Sequence, residues 1–244
     1  MTQGSKKAAA RTAQEIVQII YDEGLRPGDH YLSEADALAR HQVSRATFRE
    51  ALRFLEFQGV LRVRAGPGGG AIVAKPDWPH LASTFALLLQ FADATLSAVM
   101  AARAVIEPAM AALAAQNATP DLVAEIGREL ASAEAALADH PAFVGHYRAF
   151  WSAVARATGN PVTAMLWPAL RALVDSGGFV PSEQYRAALT GRMRSLLDAL
   201  SAGDADEAQR LVLTLDREFA DRLAENYPRR VARRMAWTDV IPPR

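Results

Sequence analysis

Apolar residues recur at helical spacing along nearly the whole chain and switch to strand-like alternation in one short place. In residues 8–23, Ala13, Ile16, Val17, Ile19 and Ile20 share one side of a helix that Gly24 ends. Leu25-Arg26-Pro27-Gly28-Asp29 is a turn by its Pro-Gly pair. Ser33 is placed to cap a second helix over 34–41, and Gln42-Val43 bends the chain into a third. There Ser44 is the cap, and Phe48, Ala51, Leu52 and Leu55 make one apolar face. Two helices joined by so short a turn form a helix-turn-helix. After Gly59, Val60 to Arg64 alternates as a strand with Arg62 and Arg64 on one side, a glycine-rich loop spans 65–70, and 71–74 returns as the second strand. A hairpin in that position is a wing, and its glycines let it approach a sugar-phosphate backbone closely.

Residues 76–79 (Pro-Asp-Trp-Pro) read as a linker, because two prolines oppose a continuous helix. Beyond them the pattern predicts helices at roughly 80–92, 96–116, 120–138, 141–158, 162–177, 182–202 and 204–226, with Thr119 and Asp204 as caps. Long helices joined by short Pro- and Gly-marked turns make an antiparallel bundle. The expected fold is therefore mainly α: a winged helix-turn-helix of three helices and a β-hairpin in 1–75, the linker, an all-helical bundle in 80–228, and a basic tail in 229–244.

The chain has 244 residues, half of them hydrophobic, which is enough for one large or two ordinary cores. It has no cysteine, so disulfides and thiolate metal sites are excluded. No signal peptide is recognisable and no run reaches the roughly 18 apolar residues of a membrane span, so the expectation is a cytoplasmic protein with no membrane partner. The formal net charge of zero hides an asymmetry. Residues 1–75 carry 11 basic and 8 acidic side chains, 76–228 carry 11 and 18, and 229–244 carry 5 and 1. A basic end on an acidic body suits a first segment that meets a polyanion.

Candidate chemistry concentrates in the third helix. Arg45, Arg49 and Arg53 stand at i, i+4 and i+8 opposite the apolar face, with Thr47 beside them. Forked guanidiniums near a helix start suit phosphates and the O6/N7 edge of guanine; taken alone, the stripe reads more readily as a solvated basic face, and its context decides. The glycine run is no nucleotide loop, since a strand rather than a helix follows it. An enzyme would need a nucleophile with its base, or a metal or cofactor site; no two histidines share a ligand spacing and Ser44 is spent as a cap, so no catalytic residue is assigned.

Leu25-Arg26-Pro27-Gly28, Leu32-Ser33-Glu34, Val43 to Leu52, Leu55, Gly59-Val60-Leu61 and the Gly66 to Val73 wing resemble, in order and spacing, the winged helix of GntR-type bacterial transcription regulators. The resemblance implies binding to double-stranded DNA at a pseudo-palindromic operator, with Arg45 and Arg49 reading guanine edges, Ser44 and Thr47 on phosphates, and Gly66 at the wing tip. It extends the DNA-binding set to Ser33, Ala46, Arg53 and Arg64. Two positions depart from the family's pattern: Ala35 stands where many relatives carry a DNA-contacting arginine, and Gln42 replaces a turn glycine.

Arg103 to Pro108, Ala157-Thr158-Gly159-Asn160-Pro161 and Ala202-Gly203-Asp204-Ala205 resemble the ligand-sensing domain of the FadR-like (FCD) branch of that family. Many such domains hold a metal through an aspartate and three histidines. The resemblance aligns Tyr147, Trp151, Met193 and Leu215 with those ligands, and none binds a hard or borderline cation well, so no metal or other cofactor is expected. The same four residues are either a filled core or the wall of a pocket for an apolar effector such as a fatty acid or acyl-CoA. Arg103 would pair the effector's acidic group unless Glu107, four residues on, occupies it. The basic tail adds DNA affinity, meets CoA phosphates, or is simply solvated. The expected function is a homodimeric, sequence-specific regulator, a repressor in the main reading, whose operator affinity a small molecule modulates without metal. The alternative is the same regulator with a bundle used only for dimerisation or protein contacts, or with a small organic-acid effector.

Overall fold

Helix α1 (Gln3–Asp22) begins earlier than its apolar pattern suggests and buries Ala13 and Ile16, while Val17, grouped with them by spacing, is exposed. In this computed structural model residues 3–64, 66, 70–175 and 178–240 are described. The expected loop positions 65 and 67–69, the helix end at 176–177 and tail residues 241–244 lie outside the described residues. The chain divides into two compact units, Met1–His80 and Leu81–Arg244.

In the first unit α2 (Glu34–His41) and α3 (Arg45–Phe57) carry the expected caps: Ser33 accepts from the N–H of Asp36 and Ser44 from that of Thr47, each at 3.2 Å. Phe48, Ala51 and Leu55 of α3 enter a core with Ala13, Ile16 and Ala37. Between α2 and α3 the chain turns through Gln42, which holds a left-handed φ of 52° and closes α2 by donating to the Leu38 carbonyl at 3.0 Å. That conformation suits glycine best, so this position carries backbone strain on the order of 1 kcal/mol. The wing pairs β1 (Leu61–Arg64) antiparallel to β2 (Gly70–Val73), with Leu61 opposite Val73 and Arg64 opposite Gly70. Tyr31 N–H donates to the Ala71 carbonyl at 2.8 Å, which extends the sheet back toward the first turn. Gly59, between α3 and the wing, has a φ of 74°, and a Cβ there would lie 2.3 Å from the His80 ring, so only glycine fits.

Helix α4 (Trp78–Phe91) corrects the linker expectation: Trp78 and Pro79 belong to the helix. A proline in the first turn loses no helical hydrogen bond, so it starts a helix rather than barring one. Six long helices follow: α5 (Leu96–Asn117), α6 (Pro120–Ala135), α7 (His140–Ala157), α8 (Pro161–Asp175), α9 (Glu183–Ala202) and α10 (Ala205–Asn226). Side chains of Thr95, Thr119, Asp139, Ser182 and Asp204 cap five of them. The largest packed pairs are α5 with α10 and α6 with α7, around a core that includes Phe143, Phe150, Trp151, Trp167 and Met193.

Helix α5 is long and apolar enough to cross a membrane by length and composition alone. It is instead the central helix of the second unit, burying Met100, Arg103, Glu107 and Met110 on one side.

The tail is another correction, since its described part packs on the bundle rather than standing in solvent. After the short α11 (Pro228–Val231), Val231 and Met235 are buried, Met235 N–H donates to the Ala94 carbonyl at 2.9 Å, and Trp237 Nε1 donates to Ser83 Oγ at 2.9 Å. Three of its arginines have partners: Arg230 donates to the Gly178 carbonyl, Arg233 pairs with Asp239 and Arg234 with Asp93.

Candidate nucleic-acid interface and effector cavity

Helix α3 exposes Arg45, Ala46, Arg49 and Arg53 on the side opposite its buried Phe48, Ala51 and Leu55. Thr47, half-buried, meets Ser44 hydroxyl to hydroxyl at 2.9 Å, so the two hydroxyls expected on phosphates already bond to each other. Arg49 Nε lies 3.5 Å from Glu34 Oε1 of α2, and Arg53 3.6 Å from Glu50. Both are exposed, long contacts that contribute little and are easily exchanged for a phosphate or a base. Arg64 is exposed at the end of β1, and Gly66 has a φ of 100°. Ser33 caps α2 and also donates to Asp36 Oδ2 at 2.6 Å. The surface thus presents a cationic helix face and an arginine-bearing hairpin on one small unit, the parts that a major groove and its flanking backbone require.

The second unit holds a cavity of about 440 Å³, open on one side. Arg103 and Tyr147 line it together with Leu215, three of the five residues the sequence nominated. Trp151 and Met193 do not: both are about 1% exposed and belong to the core. This corrects their assignment to an effector wall. An aromatic and a methionine at helical spacing fill interhelical space more readily than they leave it open.

What builds the cavity floor is a buried charge cluster from three helices. Arg103 of α5 donates from Nε to Glu107 Oε1 at 2.6 Å and from Nη2 to Asp216 Oδ1 of α10 at 3.1 Å. Arg171 of α8 donates from Nη2 to Glu107 Oε2 at 2.6 Å and from Nη1 to the Tyr147 hydroxyl of α7 at 2.9 Å. Its guanidinium lies 3.5 Å over the Trp151 ring, a cation-π contact in a site removed from water. Glu107 is fully buried and Arg103, Arg171 and Asp216 nearly so. Although burial alone would raise Glu107, the two arginines hold its carboxyl below the ordinary range. Asp216 goes the other way: burial and then the neighbouring Glu107 push it up to about 6, against the pull of Arg103 and Arg171. Burial raises the Tyr147 hydroxyl, so it stays protonated.

The alternative left open for Arg103 is thereby resolved, since Glu107 and Asp216 both occupy it. Arg171 and Asp216 escaped the sequence reading altogether. The one signal for Arg171 is a charge in an otherwise apolar helical stretch, Trp-Pro-Ala-Leu-Arg171-Ala-Leu-Val; Asp216, followed by Arg217 and Glu218, has none. Phe143, Tyr147, Tyr185 and Phe219 supply aromatic walls, and the exposed Arg148 and Arg222 stand at the rim, the first paired with Asp175 at 2.8 Å and the second 4.2 Å over the Tyr185 ring.

The residues present do not fit a metal. Tyr147 is engaged by Arg171, Trp151 and Met193 are core, and Leu215 has no donor atom. Among the described residues no three of His, Cys, Asp and Glu gather as a metal-holding group. His146 pairs with Glu129 at 2.9 Å, and His140 lines the cavity from the start of α7.

Comparison with known proteins bears on both units. A family model described as the FCD domain matches residues 98–218. The galactonate operon transcriptional repressor of Escherichia coli (strain K12) is 26% identical over 205 residues, 82% of this chain and 89% of that protein. The solved structure of Streptococcus agalactiae GntR superposes with a TM-score of 0.67 at 21% identity, over 87% of this chain and 99% of that one, a likeness of fold.

Proposed function

The chain is a GntR-family transcription regulator with an FCD domain, not an enzyme, and from that premise we propose that it is a cytoplasmic operator-binding repressor released or engaged by a small organic acid. The reading that the cavity supports best is a compact acid rather than an acyl chain. A long alkyl chain reaching the floor would have to lie against Arg103, Arg171 and Asp216, whereas a short acid can rest its carbons on the apolar wall and keep its charged group beside Arg222 at the rim. The relative described as a galactonate operon repressor supports the same direction. The single observation that carries it is the 440 Å³ cavity floored by Arg103, Arg171 and Asp216, with Glu107 buried behind them as the shared partner of the two arginines.

On the DNA side, Arg45 and Arg49 read base edges in the major groove, Ser44, Thr47 and Arg53 hold backbone, and Arg64 with Gly66 follows the neighbouring strand or minor groove. Ser33 and Ala46 complete the surface around them. Two copies place two α3 helices in successive major grooves of a pseudo-palindromic site. The exposed side of α5 supports such pairing: Ala98, Ala101, Ala102, Val105 and Ala109 form an apolar stripe at helical spacing, with Val105 76% exposed. Val105→Glu is expected to convert a sedimenting dimer to monomer and to weaken operator binding; a dimer unchanged by it would move the interface elsewhere. Because the coupling is linkage, an acid that loosens the operator complex is itself bound less tightly by that complex.

A thermal-shift screen of short organic acids, fatty acids and acyl-CoAs, followed by operator binding with the hits, tests the effector reading. Short acids are expected to raise the melting temperature and change operator affinity by about 5–150-fold, with EDTA leaving both unchanged. A response confined to acyl-CoAs, or a melting temperature lowered by EDTA, would overturn it.

A further inference from the structure

Residues 228–240 run from the edge of the cavity to α4. At their start Arg230 donates from Nη1 to the Gly178 carbonyl at 3.2 Å and stands 6.0 Å from the centre of the Phe179 ring and 5.6 Å from that of Tyr227. Gly178, Phe179 and Tyr227 all line the cavity, and the two rings lie 5.2 Å apart. One end of the segment thus grips the cavity's edge.

The other end grips α4. Trp237 donates its backbone N–H to Gln90 Oε1 at 2.7 Å and its Nε1 to Ser83 Oγ at 2.9 Å, two partners about two turns apart on one side of that helix. Between the ends the segment ties down the turn from α4 into α5. Met235 N–H donates to the Ala94 carbonyl at 2.9 Å, the Arg233 carbonyl accepts from Leu96 N–H at 3.2 Å, and Arg234 pairs with Asp93, which holds a left-handed φ of 53°. Val231 and Met235 are buried in one core with Ala86 of α4, Val99 of α5 and Leu223 of α10. No other helix packs closely along α4 among the described residues, so its place on the bundle leans on this segment.

The chain passes between its two units within α4. The division falls after His80, whose ring is set against Gly59 in the first unit, while Ser83 and Gln90 belong to the second. We propose that residues 228–240 are a strap that couples the edge of the cavity to α4: docked, it fixes α4 and favours operator binding at two half-sites; drawn off by a change at the cavity's edge, it releases both. A loosened α4 leaves the winged units freedom that must be lost before two of them meet two half-sites at once, so release weakens that complex and not the one with a single half-site. The strap rests on the operator-binding reading, not on which molecule enters the cavity.

Anisotropy titrations of the full chain against a two-half-site fragment and a single-half-site fragment, both selected from a random-sequence pool, test it. Trp237→Ala should weaken binding to the first by about fivefold or more and leave the second unchanged. Trp237→Phe, which keeps a ring and loses the bond to Ser83, should fall between, and melting curves establish that the variants fold. By linkage, the two-half-site fragment should slow hydrogen exchange at the Met235 and Trp237 N–H groups of the native chain by a similar factor. Arg230→Ala, changed only at the cavity end, should speed exchange at the same two groups. Equal losses on both fragments, or none, would overturn the strap, and so would exchange that neither DNA nor Arg230→Ala alters. No small molecule enters these measurements, so a failed strap leaves the effector reading standing, and a cavity that binds no acid leaves the strap standing.

Discussion

Glu107→Ala is expected to lower the stability of the C-terminal unit by about 3–5 kcal/mol, the cost of leaving buried charges without their partner. Glu107 is the shared acceptor of Arg103 and Arg171, at 2.6 Å to each, and has no exposed surface. Without it two guanidiniums stay buried with only Asp216 between them. Urea denaturation followed by circular dichroism measures the loss. Glu107→Gln separates charge from shape, because it fills the same volume and should still cost most of the same amount. A loss below about 1 kcal/mol for the Gln variant, the worth of an ordinary neutral hydrogen bond, would mean that the cluster is not held by charge. The linkage has a definite sign. Glu107 is held below its unfolded value, so its contribution is present above the ordinary carboxyl range and is lost as the pH falls through its folded value. Asp216, raised to about 6, acts oppositely: its favourable contribution is present below the ordinary carboxyl range and disappears as the pH rises toward and through 6.

At the operator the largest effects fall on Arg45 and Arg49. Replacing either with Ala should cost on the order of 1–3 kcal/mol in binding and relax specificity at one base pair. Arg49 gives up a 3.5 Å contact with Glu34 to reach DNA, but an exposed pair at that distance opposes it by well under 1 kcal/mol. Arg53→Ala is the comparison, since Arg53 stands about two turns beyond Arg45 and one beyond Arg49 along α3. It should weaken binding to every sequence alike and reduce the salt dependence by about one phosphate contact. A panel of operator variants read by fluorescence anisotropy distinguishes the cases. Uniform loss for Arg45→Ala and Arg49→Ala would make them phosphate contacts, and base reading would have to come from elsewhere on the helix.

How much of this was legible before the structure depended on distance along the chain. The winged helix was readable almost residue by residue because its determinants are local: a serine cap, apolar residues three and four apart, a Pro-Gly turn, an alternating strand after Gly59. The Arg103–Glu107 pair was readable for the same reason, being one helical turn long. Arg171 lies 64 residues from Glu107 and Asp216 lies 113 from Arg103, so nothing in local spacing joins them. Trp151 and Met193 were misread as cavity wall because their substitution for polar ligands says what left the site, not whether space remained. In the tail, the charge run concealed two buried anchors, Val231 and Met235, too few to show a period.

Periodicity, caps and turns, which act within a few residues, were enough to determine the helices and the wing hairpin, the two-part organisation and the outward arginine face of α3. Only the packing of α5, α7, α8 and α10 decided that four charged side chains would meet away from water, three of them at the base of a cavity. Ionic groups can be held there because each one's desolvation is offset by a partner on another helix, and that offset exists only once the helices are together.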